Sequence, residues 1–158
     1  MTPLATLDHL FGNMPPVAAM QISARAFDGN VLRLGAPLAA NVNDKNCAFG
    51  GSLASLMTLA SWGWLMLKLR EQGMEAEVYV ADSNIRYLAP LYEDLSGEGR
   101  LREDQDWPAI LRCLVERRRA RVAMLAEMRD AAGVPVASME ARFALKLIGP
   151  SPASDEGA

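Results

Sequence analysis

Asn41, Asn43, Asp44, Lys45 and Asn46 stand just ahead of Gly50-Gly51-Ser52, and no charged residue follows until Lys68. These residue types suit chemistry on a carbonyl. Asp44 could activate a water as general base or attack an acyl carbon directly. Asn41 and Asn43 could orient that water or hold the carbonyl. If a helix begins on Gly50-Gly51, its first N–H groups are bare and lie at the positive end of the helix dipole. An oxygen carrying negative charge would be held there. The candidate donors are the N–H groups of Gly51 and Ser52, and Gly50 admits close approach. The structural alternatives are ordinary: Asx turns for the asparagines, an ion pair with Lys45 for Asp44, and close helix packing for the glycines.

A second polar set is Asp82, Ser83 and Asn84, inside a run that otherwise reads as a strand. Strand side chains alternate, so Asp82 and Asn84 share one face and Ser83 the other. The residues alone do not say which face meets the core. Ser52 and Thr58 are hydroxyls near the start of the long apolar segment. Each could hold a water, or bond back to its own helix. Cys47 is a potential nucleophile, but the single histidine, His9, is remote in sequence and pairs with it in no motif.

The elements that must position these groups read as follows. Residues 3–13 form a short amphipathic helix with Leu4, Leu7, Leu10 and Phe11 on one face, stopped by Pro15-Pro16. Strands over 17–27 and 31–36 are joined at Asp28-Gly29-Asn30, a hairpin signal. The loop 41–49 feeds a helix over 50–72, with Gly73 as C-cap. A strand over 77–88 ends before Pro90, and a weaker one covers 93–102. Residues 107–117 form a helix with Asp106 as N-cap and Pro108 in its first turn. Strands over 121–129 and 134–147 flank a turn at 130–133. Helices and strands are segregated, which predicts an α+β fold with a mainly antiparallel sheet. The central helix is apolar nearly all round, so a curved sheet must wrap it. One domain is expected over 1–148, with a small, polar, disordered tail over 149–158.

Composition narrows the function. The net charge of −3 argues against a general nucleic-acid binder or a polybasic membrane-surface protein. The two cysteines have neither metal-ligand spacing nor a CxxC motif, so no metal site is expected, and a reduced cytoplasmic setting is the simplest reading. The first residues lack the basic and apolar regions of a secretory signal. The uncharged stretch 46–67 is long enough to span a bilayer, but its glycines, serines and threonine favour a buried helix.

The motif around the glycines is similar to a known one. Asn43-Asp44-Lys45-Asn46-Cys47-Ala48-Phe49-Gly50-Gly51 resembles the Asn-x-x-Gly-x-x-His-Gly-Gly signature of phenylacetate-type acyl-CoA thioesterases, which have the hotdog fold. Ser83-Asn84-Ile85-Arg86-Tyr87-Leu88-Ala89-Pro90 resembles a strand of the same enzymes. More closely, Ala36-Pro37-Leu38, Asn41–Lys45, Phe49–Leu53 and Ala81–Tyr87 resemble the thioesterase domain at the C-terminal end of YiiD-type acetyltransferases. The resemblance runs from about Leu4 to Leu147. It implies a long central helix wrapped by a curved antiparallel sheet. It also implies an acyl-thioester hydrolase acting on an acyl-CoA or an acyl carrier protein, with no cofactor beyond the coenzyme A of the substrate.

By the same resemblance, the carbonyl rests on Gly51 and Ser52, Asn43 orients it, and Asp44 or Asp82 serves as base or nucleophile. Asn41, Phe49, Gly50, Thr58, Ser83 and Asn84 would line the substrate site. The strand 78–88 would pair with a second copy to give a homodimer, or a dimer of dimers. The cluster Arg117-Arg118-Arg119 with Arg121 would meet coenzyme A phosphates or an acidic carrier protein, if it is not a solvated helix end. Two departures stand out. Phe49 occupies the histidine position, and Thr58 falls where those relatives carry an acid. They motivate a rival expectation: a non-catalytic module that binds acyl thioesters. The absence of a motif histidine also disfavours a hotdog dehydratase.

Overall fold

The computed structural model describes residues 1–152; the part of the expected tail from 153 onward lies outside the described residues. The helices are α1 (Pro3–Gly12), α2 (Pro15–Met20), α3 (Gly50–Glu71) and α4 (Trp107–Arg117). The strands are β1 (Ser23–Phe27), β2 (Val31–Ala36), β3 (Ala76–Tyr87), β4 (Leu95–Leu101), β5 (Arg119–Arg129) and β6 (Pro135–Leu147). All six strands form one antiparallel sheet in the order β1-β2-β4-β5-β6-β3, curved around α3.

The long helix forms where its residues allow. Beyond the opening glycines it holds good helix formers, with Lys68 and Arg70 in the last turn, where the dipole favours cations. Leu53, Leu56, Met57, Ala60, Trp64, Leu65, Leu67 and Leu69 are all buried, so the helix is covered on most sides. Its nearest neighbour is β4. A Cβ at Gly97 would lie 2.4 Å from Leu56, and one at Gly99 would lie 2.6 Å from the Ala60 backbone. The helix therefore rests directly on strand backbone at two glycines. No helix among the described residues is long and apolar enough to cross a membrane.

One expected element is corrected. Residues 17–27 are not a single strand. Pro15 and Pro16 occupy the first turn of α2, where a missing N–H costs nothing. Gln21, at φ 55°, then ends that helix in the left-handed region, and the strand begins only at Ser23. The penultimate strand also starts earlier than expected, because Arg118 takes φ 60° and closes α4 immediately before Arg119.

The two edges of the sheet differ. At β1 the edge is guarded: α1 packs against it, Asp8 accepts a hydrogen bond from the Ala24 N–H at 2.7 Å, and the strand bulges between Ala24 and Ala26. At β3 twelve residues run along the edge. Apart from Val78 none is buried, and Tyr79, Val80 and Tyr87 are large and exposed.

Candidate active site at the start of the central helix

The loop ahead of α3 is knotted by its own groups. Val42 bridges Ala48, the Asn43 N–H donates to the Cys47 carbonyl at 2.8 Å, and the Phe49 N–H donates to the Asn41 carbonyl at 2.7 Å. Asn46 closes the turn at φ 64°. The Asn43 Oδ1 accepts from the N–H groups of Lys45 at 2.8 Å and Cys47 at 3.2 Å, and its Nδ2 lies 3.2 Å from Cys47 Sγ. Asn43 is therefore spent on shaping the loop. Cys47 is buried in that knot, while His9 lies in α1 and among the described residues pairs with Asn13, the cap of that helix, so the two do not meet. Asn41 is 3 % exposed and donates to the carbonyls of Met20 at 2.9 Å and Pro37 at 2.8 Å. Its Oδ1 is buried and has no partner among the described residues, a position ordered water commonly serves.

The helix start fixes which amides are free. Phe49 is the N-cap and has no side-chain acceptor to offer. Its carbonyl accepts from Ser52 N–H at 2.9 Å and Leu53 N–H at 3.2 Å. The Ser52 amide is thus engaged. The N–H groups of Gly50 and Gly51 have no acceptor among the described residues, so the free pair sits one residue earlier than the sequence suggested.

Two aromatic rings flank that pair. A Cβ on Gly51 would meet the Phe49 ring at 2.5 Å, and one on Gly50 would meet the Tyr87 ring at 3.6 Å. The Tyr87 hydroxyl also donates to the Gly50 carbonyl at 3.2 Å, tying the end of β3 to the start of α3. Both rings are half-exposed, at 56 % each, and Val42, Leu88 and Tyr92 are exposed apolar residues nearby in the chain. Tyr87 is a candidate that the sequence reading leaves out. The signal was available: Ser83, Ile85 and Tyr87 alternate onto one face.

The remaining candidates separate. Thr58 Oγ1 bonds back to the Ala54 carbonyl at 2.8 Å and lies 3.8 Å from Met139 Sδ, inside the helix–sheet interface. Asp44 is 80 % exposed at its side chain and lies 3.3 Å from Lys45 Nζ. On β3, Ser83 is in register with the buried Ala141, so it faces the helix. Asp82 and Asn84 are in register with Arg142 and Glu140, both exposed, and face away. Asp82 is held by Arg142, with Nε to Oδ1 at 3.0 Å and a second contact between Nη2 and Oδ2. That guanidinium lowers the Asp82 pKa below the usual carboxylate value. Within one chain the sheet stands between Asp82 and the free amides. The expectation that Asp82 reaches them as base does not fit this geometry.

A curved antiparallel sheet around one long helix, with free amides at the helix start, defines a thioesterase-like hotdog protein. Residues 5–146 match the family model described as putative thioesterase (yiiD_Cterm), and the chain belongs to that family. A protein of unknown function from Chlorobaculum tepidum superposes with a TM-score of 0.85 at 26 % identity, covering 90 % of this chain and 93 % of that one. A putative thioesterase from Shewanella oneidensis gives 0.82 at 26 %, covering 92 % and 98 %. A probable thioesterase from Pseudomonas aeruginosa gives 0.78 at 23 %, covering 93 % and 97 %, and adds support for the fold alone.

Proposed function

We propose that this chain hydrolyses an acyl thioester at the start of α3. The observation that carries the reading is the pair of unengaged Gly50 and Gly51 N–H groups at the positive end of a 22-residue helix, in a member of a thioesterase family. The thioester carbonyl lies on these amides. Asp44 takes a proton from water as the water oxygen attacks the carbonyl carbon. The tetrahedral oxyanion rests on the two N–H groups, where each donor contributes on the order of 3 kcal/mol. Collapse breaks the C–S bond, the thiolate takes up the proton, and the acid leaves. Asn43 acts indirectly, by holding the loop that carries Asp44.

The substrate is an acyl-CoA or an acyl carrier protein, and coenzyme A enters only as part of it. A second copy pairs along the open β3 edge, which supports a homodimer; a dimer of dimers is the larger alternative. Two free cysteines agree with a reducing, cytoplasmic setting. The test is a panel of acyl-CoA substrates with thiol release monitored. Turnover that falls on the order of 100-fold in Asp44→Ala with little change in KM supports the assignment of the base. Turnover unchanged in that variant removes it.

The rival reading, a non-catalytic thioester-binding module, draws on specific observations. Phe49 and Thr58 stand where the phenylacetate-type enzymes that the motif resembles would carry a histidine and an acid, Asp82 is turned away, and Asp44 is exposed. Saturable binding without turnover across the whole panel would establish it.

A further inference from the structure

The face of the sheet turned away from α3 has a charge pattern that the thioester site does not use. Arg25 and Arg86 stand on it without an ion pair among the described residues, while Arg142 pairs with Asp82, Arg33 with Glu98 at 3.4 Å, and Arg129 with Glu127 at 3.0 Å. At one end three cations cluster. Arg119 lies directly opposite Lys146, and Arg121 follows on the same face opposite Ala144. All three cations are exposed, and among the described residues none has an ion pair within 4.0 Å. Arg121 adds to the field that lowers the Asp82 pKa, but that carboxylate is committed to Arg142. Glu77 lies opposite Lys146 on the far side without an ion pair to it within 4.0 Å, and it raises the Tyr79 pKa.

Like charges directly opposite on neighbouring strands are destabilising. The isolated chain gains nothing from Arg119 facing Lys146. Nor is the cluster a sample of general basicity, because the chain carries a net charge of −3. Tyr79 shares this face and is 57 % exposed, on the other side of Ala144 from Arg121. Tyrosine and arginine around a small residue on an open sheet face match the composition of protein interfaces better than that of a small-ion pocket.

We infer that Tyr79, Arg119, Arg121 and Lys146 dock an acidic protein surface, that of an acyl carrier protein delivering the thioester. This rests on the hydrolase reading above. The placement is consistent with it: when two β3 strands pair antiparallel along their length, Ala76 of one copy falls beside Tyr87 of the other. The cationic end of each copy then adjoins the amide end of its neighbour.

The test uses the full chain and a fluorescein-labelled holo-acyl carrier protein, read by anisotropy. Saturable binding that fades at high salt is expected, because exposed charges are screened. Binding should weaken at least about tenfold in R119E/R121E, and also in Tyr79→Ala, with unchanged thermal melting. In turnover, KM for the acyl carrier substrate should rise while kcat and the kinetics on acyl-CoA stay unchanged. A wild-type chain that does not bind the carrier overturns the inference, as does a charge-reversed variant that binds as tightly. Equal losses on acyl-CoA also overturn it, and would assign the cations to phosphate. If neither substrate turns over, the hydrolase reading fails, and the anisotropy arm still decides this one.

Discussion

The two ends of the central helix are built in opposite ways. At the C-terminal end Trp64 is buried, its indole N–H donates to the Asn30 carbonyl at 3.0 Å, and Trp107 packs edge-on at 5.2 Å. Lys68 sits 5.7 Å over the Trp64 ring and 3.2 Å from Glu71. The last turn is closed by Gln72 and Gly73 N–H groups donating back into the helix, with Lys68 and Arg70 suited to the dipole. At the N-terminal end nothing comparable exists. The cap is a phenylalanine with no acceptor, the first turn has no acid, two amides are unengaged, and the flanking rings are half in solvent. A Ser, Thr, Asp or Asn cap would ordinarily add about 1 kcal/mol there. The chain forgoes that stability and keeps the amides free, which is what an oxyanion-binding end requires.

The comparison breaks most visibly at the closed end. Trp64→Ala removes a buried indole, its hydrogen bond and its contact with Trp107. Unfolding free energy should fall by about 3–5 kcal/mol in urea titration. Thioester turnover per folded molecule should change little, since the open end lies about four turns away by helix geometry, about 20 Å. A variant that lost turnover in full while keeping its stability would show that the two ends are not separable.

At the open end the expected effect is on chemistry. Phe49→Asp supplies the missing cap: its carboxylate can accept the Gly51 N–H, and its charge suits the dipole. Stability should rise by about 0.5–1 kcal/mol in thermal or urea melts. Turnover should fall on the order of 100-fold, because one oxyanion donor is now occupied. A stabilised variant with full turnover would remove Gly51 from the chemistry.

Much of this contrast could be read in advance, and the gaps have physical reasons. The helix over 50–71 follows from its long uncharged, mainly apolar run, and the turns at Gly29 and Gly133 from positive φ at glycine. The strand over 95–101 read weakly because Gly97 and Gly99 lower strand propensity; those glycines are there because α3 lies on them. Helix α2 is hidden in the sequence because Pro15-Pro16 reads as a stop, although two prolines serve equally as a first turn. The free amides were placed one residue late, since a Phe cap leaves no side-chain marker of where the helix begins. The facing of Asp82 needed the cross-strand register, because the ladder shifts between Val80 and Asp82 and alternation cannot be carried through a bulge.

The smallest expected effect tests that last point. Asp82 faces away from the amides and is exposed, so Asp82→Asn should leave turnover at neutral pH unchanged, whereas a base at this position would abolish it. Its pKa is lowered in the folded chain, first by the hydrogen-bonded Arg142. The pair therefore contributes stability above the unfolded-state carboxylate pKa of about 3.9. That contribution is lost as pH falls through the lower folded value. Wild type should exceed Asp82→Asn slightly in urea midpoint at pH 7, and the gap should close on acidification. A gap that widens toward low pH would mean that Arg142 is not the partner that sets this carboxylate, and would reopen the question of which face Asp82 serves.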